Sequence, residues 1–351
     1  MAQEQKKVSL NFSNIDITKN YIIEVKLFEA NTWKVLSEIN KPITFKINNS
    51  KNGFYIENGK IFDAKGYNFI MRGINHAHTW FPDKLDSTLK NISDTNANTV
   101  RIVLSNGQKW TKTSKDELKT IINKIKLNHL IGILEVHDTT GYGEDSSAAS
   151  LQSAVNYWIE MKDILIGEEK YIFINIGNEP FGNGISDTTW INESKNAINQ
   201  LRNAGFKHTL IIDAPNWGQD WQNIMLNNAK TVFDSDILKN TVFSVHMYEV
   251  YNNYDKINNY ISTFVNNKIP LIIGEFAAEH KGMDVKEYDI LERCQSLGVG
   301  YLGWSWDGNS PQYGNIDIVN NWNPNSLTNW GNTLINSTNG IKNTSWKASV
   351  Y

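Results

Sequence analysis

A chain of 351 residues with a formal charge of −3 and a mean hydropathy of −0.43 is long enough for one large domain and close to electrically neutral. That balance argues against nucleic acid or an anionic membrane surface as partner, and no apolar run approaches the ~20 residues of a membrane-spanning helix. The single cysteine, Cys294, leaves no intrachain disulfide and no multi-thiolate metal site, and its place in the helical pattern "ILERCQSLG" reads as core.

The polar opening "MAQEQKKVSL" holds no apolar signal stretch and reads as the start of a mature chain whose export signal has been removed. Within residues 1–50, "KVSLNFSNIDI", "NYIIEVKLFE" and "PITFKINNS" alternate apolar and polar residues, the pattern of β-strands. So short a stretch holds little core of its own. It is therefore read as an accessory β-element or a partial module, ahead of a main domain over 51–345. "GFYIENGKIFDAKG" (53–66) predicts a hairpin turning at Asn58-Gly59, placed to close one end of that main domain.

From about residue 68 a rhythm sets in: short apolar strand, polar loop, helix pattern. Strands are predicted at Phe69–Gly73, Thr99–Leu104, Leu130–His137, Tyr171–Asn178, Thr209–Asp213, Val242–Tyr248, Leu271–Phe276 and Tyr301–Trp304. Helix patterns lie between them, among them "SKDELKTIINKIKLN" (114–128), "SLQSAVNYWIEMKDIL" (150–165) and "ESKNAINQLRNAG" (193–205). Eight βα repeats predict a (β/α)8 (TIM) barrel of the α/β class carrying a short N-terminal β-rich extension. A doubly wound open sheet is the competitor, but no Gly-rich phosphate turn comes after the first strand.

In such a barrel the chemistry sits where the strands end. Two apolar strands run into a glutamate, "NIGNEPFGN" (175–183) into Glu179 and "IPLIIGEF" (269–276) into Glu275. Other tips hold Asn75 and His76, His137, Asn178, His246 and Tyr248, and Trp304 and Trp306. Two carboxyls facing across one mouth suit glycosidic bond cleavage, one protonated as donor and the other ionised. Arg101, in "NTVRIVL", points into the barrel and needs an anionic partner. If that partner is Glu275, Glu275 stays ionised as nucleophile and Glu179 becomes the proton donor. His246 and Tyr248 share a strand face, so Tyr248 is placed to hold Glu275 and His246 to orient Glu179. A flat Trp304 would form the floor under a sugar ring; Trp306 shares its parity, and the choice between them stays open. Glu135, two residues before His137, is read as a structural interior carboxylate, with Arg72 as its salt-bridge partner.

"MRGINHAHTW", "NTVRIVLSNG", "LEVHDTTGYGE", "NIGNEPFGN", "DAPNWGQDW", "HMYEVY", "GEF" and "YLGWSW" together resemble the glycoside hydrolase family 5 barrels, the bacterial endo-β-1,4-mannanases most of all. The likeness runs from about residue 53 to 341. It implies a retaining, endo-acting hydrolase of β-1,4-mannan, galactomannan or glucomannan, with Glu179 as acid/base and Glu275 as nucleophile. It also implies Arg101, His137, Asn178, His246, Tyr248 and Trp304 around the sugar, with Asn178 on its 2-hydroxyl. Trp80, Trp217 and Trp221, in loops after the first and fifth strands, would line the cleft. The sibling activity on cellulose or xyloglucan is the alternative, and a non-catalytic carbohydrate-binding barrel a remoter one. Double displacement by side chains needs no cofactor. The metal-like spacing of His76 and His78, and the acidic run Asp284, Glu287 and Asp289, are each thin for a metal, and no metal is expected. His129, His208 and His280 belong to no constellation. A polymeric substrate implies an extracellular enzyme, and a monomer is expected.

Overall fold

The computed structural model describes residues 51–351 throughout and, of the preceding segment, two strands, Tyr21–Phe28 and Val35–Ile43. These pair antiparallel, with a register irregularity between Leu27 and Phe28. The strand expected over "NYIIEVKLFE" is there. Its partner takes in Pro42 and Ile43, the first two residues of the third expected strand, whose remainder lies outside the described residues; "VLSEINKPI", interrupted by Pro42, does not read as a strand. The first expected strand lies outside the described residues.

Residues 51–351 build a closed barrel of eight parallel strands: β1 Arg72–His76, β2 Thr99–Leu104, β3 Ile131–Val136, β4 Ile172–Asn175, β5 Leu210–Asp213, β6 Thr241–Met247, β7 Leu271–Phe276 and β8 Gly300–Gly303. Each strand pairs with its successor in sequence, and β8 closes on β1 through Tyr301–Arg72, Leu302–Gly73 and Gly303–Ile74. Every residue in these strands is buried, because one side meets the barrel interior and the other meets helices. The principal helices are α1 Leu85–Asp94, α2 Lys115–Leu127, α3 Leu151–Glu160, α4 Asp187–Asn203, α5 Ile224–Phe233, α6 Tyr254–Asn266, α7 Glu287–Leu297 and α8 Asn329–Asn336. Each offers an apolar stripe to the strands, in α2 Leu118, Ile121, Ile122 and Ile125. Ser114 and Glu117 cap α2 reciprocally. α4 begins six residues ahead of the sequence reading because Ser186 caps it, its side chain accepting from the Thr189 N–H.

The lower end of the barrel is plugged by apolar side chains, including Ile131, Ile133, Phe173, Ile211, Val242, Ile272 and Leu302. Phe54 and Ile61 of the hairpin join this cluster, so the hairpin does close that end. Its turn residues Asn58 and Gly59 both have positive φ, 51° and 74°, as an Asn-Gly hairpin turn requires. β1 begins three residues later than expected because the Phe69 N–H bonds to the Ile61 carbonyl, which ties Phe69 to the hairpin.

One irregularity bears on function. Between β6 and β7 the register runs Ser244–Ile272, Val245–Ile273, and then His246–Glu275, passing over Gly274. Strict alternation from the inward-facing Ile272 would send Glu275 outward. The extra residue turns it in. Only glycine fits there: a Cβ on Gly274 would stand 2.3 Å from Ser244 Oγ.

Candidate active site

Above the plug the interior turns polar, and Arg101 of β2 is its hub. Its side chain is fully buried and every donor is used. Nη1 donates to Glu275 Oε1 at 2.7 Å and Asn75 Oδ1 at 3.1 Å. Nη2 donates to Asn178 Oδ1 at 2.6 Å and Asn175 Oδ1 at 3.0 Å, and Nε to Asn175 Oδ1 at 3.1 Å. Glu135 and Asp213 approach within 3.7 and 3.5 Å. A guanidinium gripped by so many acceptors is rigid, and it presents a fixed positive charge to Glu275. The Tyr248 hydroxyl donates to the other Glu275 oxygen at 2.9 Å.

Glu179 is held differently. β4 ends at Asn175, and the chain then turns sharply, leaving Glu179 with a φ of 39°. Its N–H donates to Asp213 Oδ2 at 3.1 Å, and its Oε1 lies 2.7 Å from His246 Nδ1. Gly218 makes room for this pair: with φ of +72°, a Cβ there would sit 2.8 Å from His246 Nδ1 and 2.9 Å from Glu179 Oε1. One oxygen of Glu179 and one of Glu275, together with a His246 nitrogen, lie within 4.8 Å of one another.

The two carboxyls therefore experience opposite fields. Burial pushes both toward the neutral form. For Glu275 the positive charges of His246, Arg101 and His137 and the Tyr248 hydrogen bond outweigh burial and hold it below the usual carboxylate range. For Glu179 burial, reinforced by the charge of Glu275, prevails over the His246 contact and raises it. Burial opposes the charged form of His246 too, but Glu275, Asp213 and Glu179 overcome it and lift the imidazole to about 9. Tyr248, buried beside both glutamates, is pushed well above the ordinary phenol range and stays protonated as a donor.

A cleft of about 280 Å³ opens over these groups, lined by Glu179, Glu275, Tyr248, Trp217 and Trp304, with His280, Lys281 and Tyr313 among the other lining residues. Trp304, rather than Trp306, faces it; Trp306 is 1% exposed. The Trp304 ring is stacked on His137 at 5.9 Å and fixed by Nε1 donating to Asn309. Trp80 stands edge-on to His137 and Trp110. Trp217 crosses Gly141 and donates to Glu144 Oε2 at 2.9 Å; the same oxygen accepts from the Asn183 N–H. Trp221, half exposed, donates to Asn183. Trp80 and Trp221 thus lie outside the lining of the central cleft.

The pairing of Glu135 with Arg72 is corrected. Glu135 bonds His137 Nδ1 at 2.9 Å and faces Arg101. Arg72 lies over the Tyr301 ring, donating to the Met71 and Val299 carbonyls, Gln295 and Thr344. Because β1 starts at Arg72 and Asn75 is the residue that points to Arg101, the alternation turns Arg72 away from the interior. His280 also gains a setting the sequence did not reveal, 2.5 Å from Glu249 Oε2 and against the Tyr248 ring. Asn75 is among the strand-tip residues the sequence offers, whereas Asn175, Asp213 and Glu144 go unmarked there. Asn175 and Asp213 share inward parity with the plug residues Phe173 and Ile211, a signal that was available. Glu144 acts across loops and gave none. His78 bonds Glu117, and His76, buried against it, is depressed by burial to about 3. Among the described residues, the cluster Glu179, His246 and Glu275 alone has convergent metal-ligand geometry, and its groups are already bound to one another.

The sequence profile of the family Cellulase (glycosyl hydrolase family 5) matches residues 62–310. A mannan endo-1,4-beta-mannosidase of Cellvibrio japonicus is 56% identical over 85% of this chain and 69% of its own length. One of Streptomyces lividans is 48% identical over 85% of this chain and 78% of its own. The solved mannohexaose complex of Thermomonospora fusca beta-mannanase superposes with a TM-score of 0.82 at 46% identity, covering 85% of this chain and 99% of that one.

Proposed function

Because the chain belongs to glycosyl hydrolase family 5, we propose that it is a retaining endo-β-1,4-mannanase acting on mannan, galactomannan and glucomannan. The observation that carries the chemistry is the pair of oppositely biased carboxyls in close approach. Carboxyl groups roughly 5–5.5 Å apart serve retention, whereas inversion needs roughly 6.5–9.5 Å to admit a water. The convergence within 4.8 Å favours retention. Glu275, ionised and clear of competing protons, attacks the anomeric carbon as Glu179 passes its proton to the departing sugar oxygen. The glycosyl ester on Glu275 is then opened by a water that Glu179 deprotonates, which restores both groups. His246 sets the Glu179 carboxyl, Arg101 and Tyr248 set Glu275, and Asn178, itself fixed by Arg101, is assigned to the sugar 2-hydroxyl. Trp304 and Trp217 offer flat faces for sugar rings, with His137 behind Trp304. Trp80 and Trp221 are assigned to the approaches of the cleft.

The substrate assignment is supported by the mannanase relatives, and a polymeric substrate further supports an extracellular enzyme. Among the described residues no helix is long and apolar enough to cross a membrane. The test is reducing-end release from galactomannan, glucomannan and carboxymethyl-cellulose in parallel, with Glu275→Ala as control. Release from both mannans, little from cellulose and none in the variant is expected. Equal activity on cellulose would overturn the specificity, and an active Glu275→Ala the mechanism.

A further inference from the structure

We propose that Asp213, the last residue of β5, is the positioning residue that holds the acid/base Glu179 from two sides at once, through its backbone N–H and through His246. The proposal rests on the acid/base reading of Glu179. The Asp213 side chain is wholly buried. Its Oδ1 accepts from Asn175 Nδ2 at 3.0 Å, and Asn175 in turn accepts from Arg101, which fixes the carboxylate plane. Its Oδ2 accepts the Glu179 N–H at 3.1 Å and lies 3.4 Å from His246 Nε2. The other imidazole nitrogen, Nδ1, meets Glu179 Oε1 at 2.7 Å.

Main chain, side chain, imidazole and Asp213 thus close a ring on Asp213 Oδ2, in which the link to His246 Nε2 is an ion-pair approach and not a hydrogen bond. The ring has work to do, because Glu179 sits outside the β4 ladder with a positive φ that disfavours a non-glycine residue. A tether on its N–H supplies the restraint that the sheet does not. The competing account makes Asp213 only a counter-ion for Arg101, 3.5 Å away. The two differ in what fails: a lost counter-ion disturbs Glu275 and every substrate alike, whereas a displaced Glu179 harms only the steps that move a proton.

Leaving-group dependence separates them. Asp213→Asn and Asp213→Ser should lower kcat on mannohexaose about 100-fold, the scale of general acid–base assistance, with KM little changed. On 2,4-dinitrophenyl β-mannobioside, whose leaving group needs no protonation, the first turnover should stay near the wild-type rate. A burst of one equivalent of dinitrophenolate should appear, then a slow steady state, since release of the glycosyl ester still needs Glu179 as base. Glu179→Ala should show the same pattern, and adding Asp213→Asn to it should change nothing further. Should one Asp213 variant fail to unfold cooperatively, the other carries the comparison. A burst slowed as much as mannohexaose turnover, or a deeper defect in the double variant, would overturn the role of Asp213 alone. Absence of a burst in Glu179→Ala would overturn the acid/base reading and this proposal with it.

Discussion

Replacing Tyr248 by phenylalanine removes one hydroxyl and leaves the ring that packs 4.6 Å from His280, so the cleft wall survives. What is lost is the 2.9 Å hydrogen bond to Glu275 Oε2. A bond to an ionised acceptor is worth about 1.5–3 kcal/mol, and each pKa unit corresponds to about 1.4 kcal/mol. The Glu275 carboxyl should therefore rise by about 1–2 units. It should remain ionised at neutral pH, because Arg101 Nη1 still stands 2.7 Å from Oε1. Glu275 reacts ionised and Glu179 protonated, so the acid limb of kcat/KM reports mainly the first and the alkaline limb the second, both as properties of the coupled pair. In Tyr248→Phe the acid limb should move to higher pH by about 1–2 units while the alkaline limb stays. Stability changes with the same sign. A depressed carboxyl stabilises the fold above its usual range and loses that contribution as pH falls through its folded value, so variant and wild type should differ at neutral pH and converge in acid. The assay is initial-rate hydrolysis of mannohexaose across the acid range, with chemical denaturation at matched pH. An unmoved acid limb, or a moved alkaline one, would refute the reasoning.

Three further outcomes are expected. Gly218→Ala adds a Cβ less than 3 Å from both His246 and Glu179 at a φ of +72°, so kcat should fall at least about 100-fold while the variant stays folded; near-normal kcat would contradict the close approach. Glu144→Gln weakens the exposed anchor shared by Trp217 and Asn183, and KM for mannohexaose should rise several-fold with kcat little changed; a fall in kcat alone would argue against a binding role. His246 is raised from 6.5 to about 9, so its stabilising contribution is complete below 6.5 and is lost as pH rises through about 9, a change of roughly 3 kcal/mol. Urea unfolding of His246→Gln should lack that slope, and its persistence would assign the slope to another group.

The barrel was legible because its signals are local and repeated. Eight apolar runs separated by helical periodicity fix the number of strands, and β2 and β7 fall on the predicted bounds. β1 starts late because its expected first residues belong to a hairpin whose bond from Phe69 to Ile61 no periodicity reveals, and the fourth strand ends at Asn175, three residues short of the expected Asn178, where the chain turns toward Glu179. The charged centre was legible where it depended on strand tips, as with Glu275 and Tyr248, or on strand parity, as with Arg101. It was illegible where partners meet across the barrel. Arg72 and Glu135 are plausible partners on charge alone, yet two-residue alternation from a start at Arg72 carries one outward while the other faces Arg101. Asp213 looked like an ordinary strand end, because the neighbour that gives it meaning is a backbone N–H 34 residues earlier. Glu144 and Trp217 are joined across 73 positions by loops whose course the sequence does not specify.

The one-residue step at Gly274 uncouples the length of β7 from the direction its glutamate faces. With Gly274 held out of the ladder as an extra residue, Glu275 takes the inward place opposite His246 that Gly274 would otherwise occupy. Removing that glycine would keep the glutamate opposite His246 in even pairing with β6, whereas pairing the glycine in the ladder would direct the glutamate toward the helices. A strand of this kind thus absorbs a one-residue insertion without turning the nucleophile out of the barrel's mouth, so long as the added residue is bulged instead of paired.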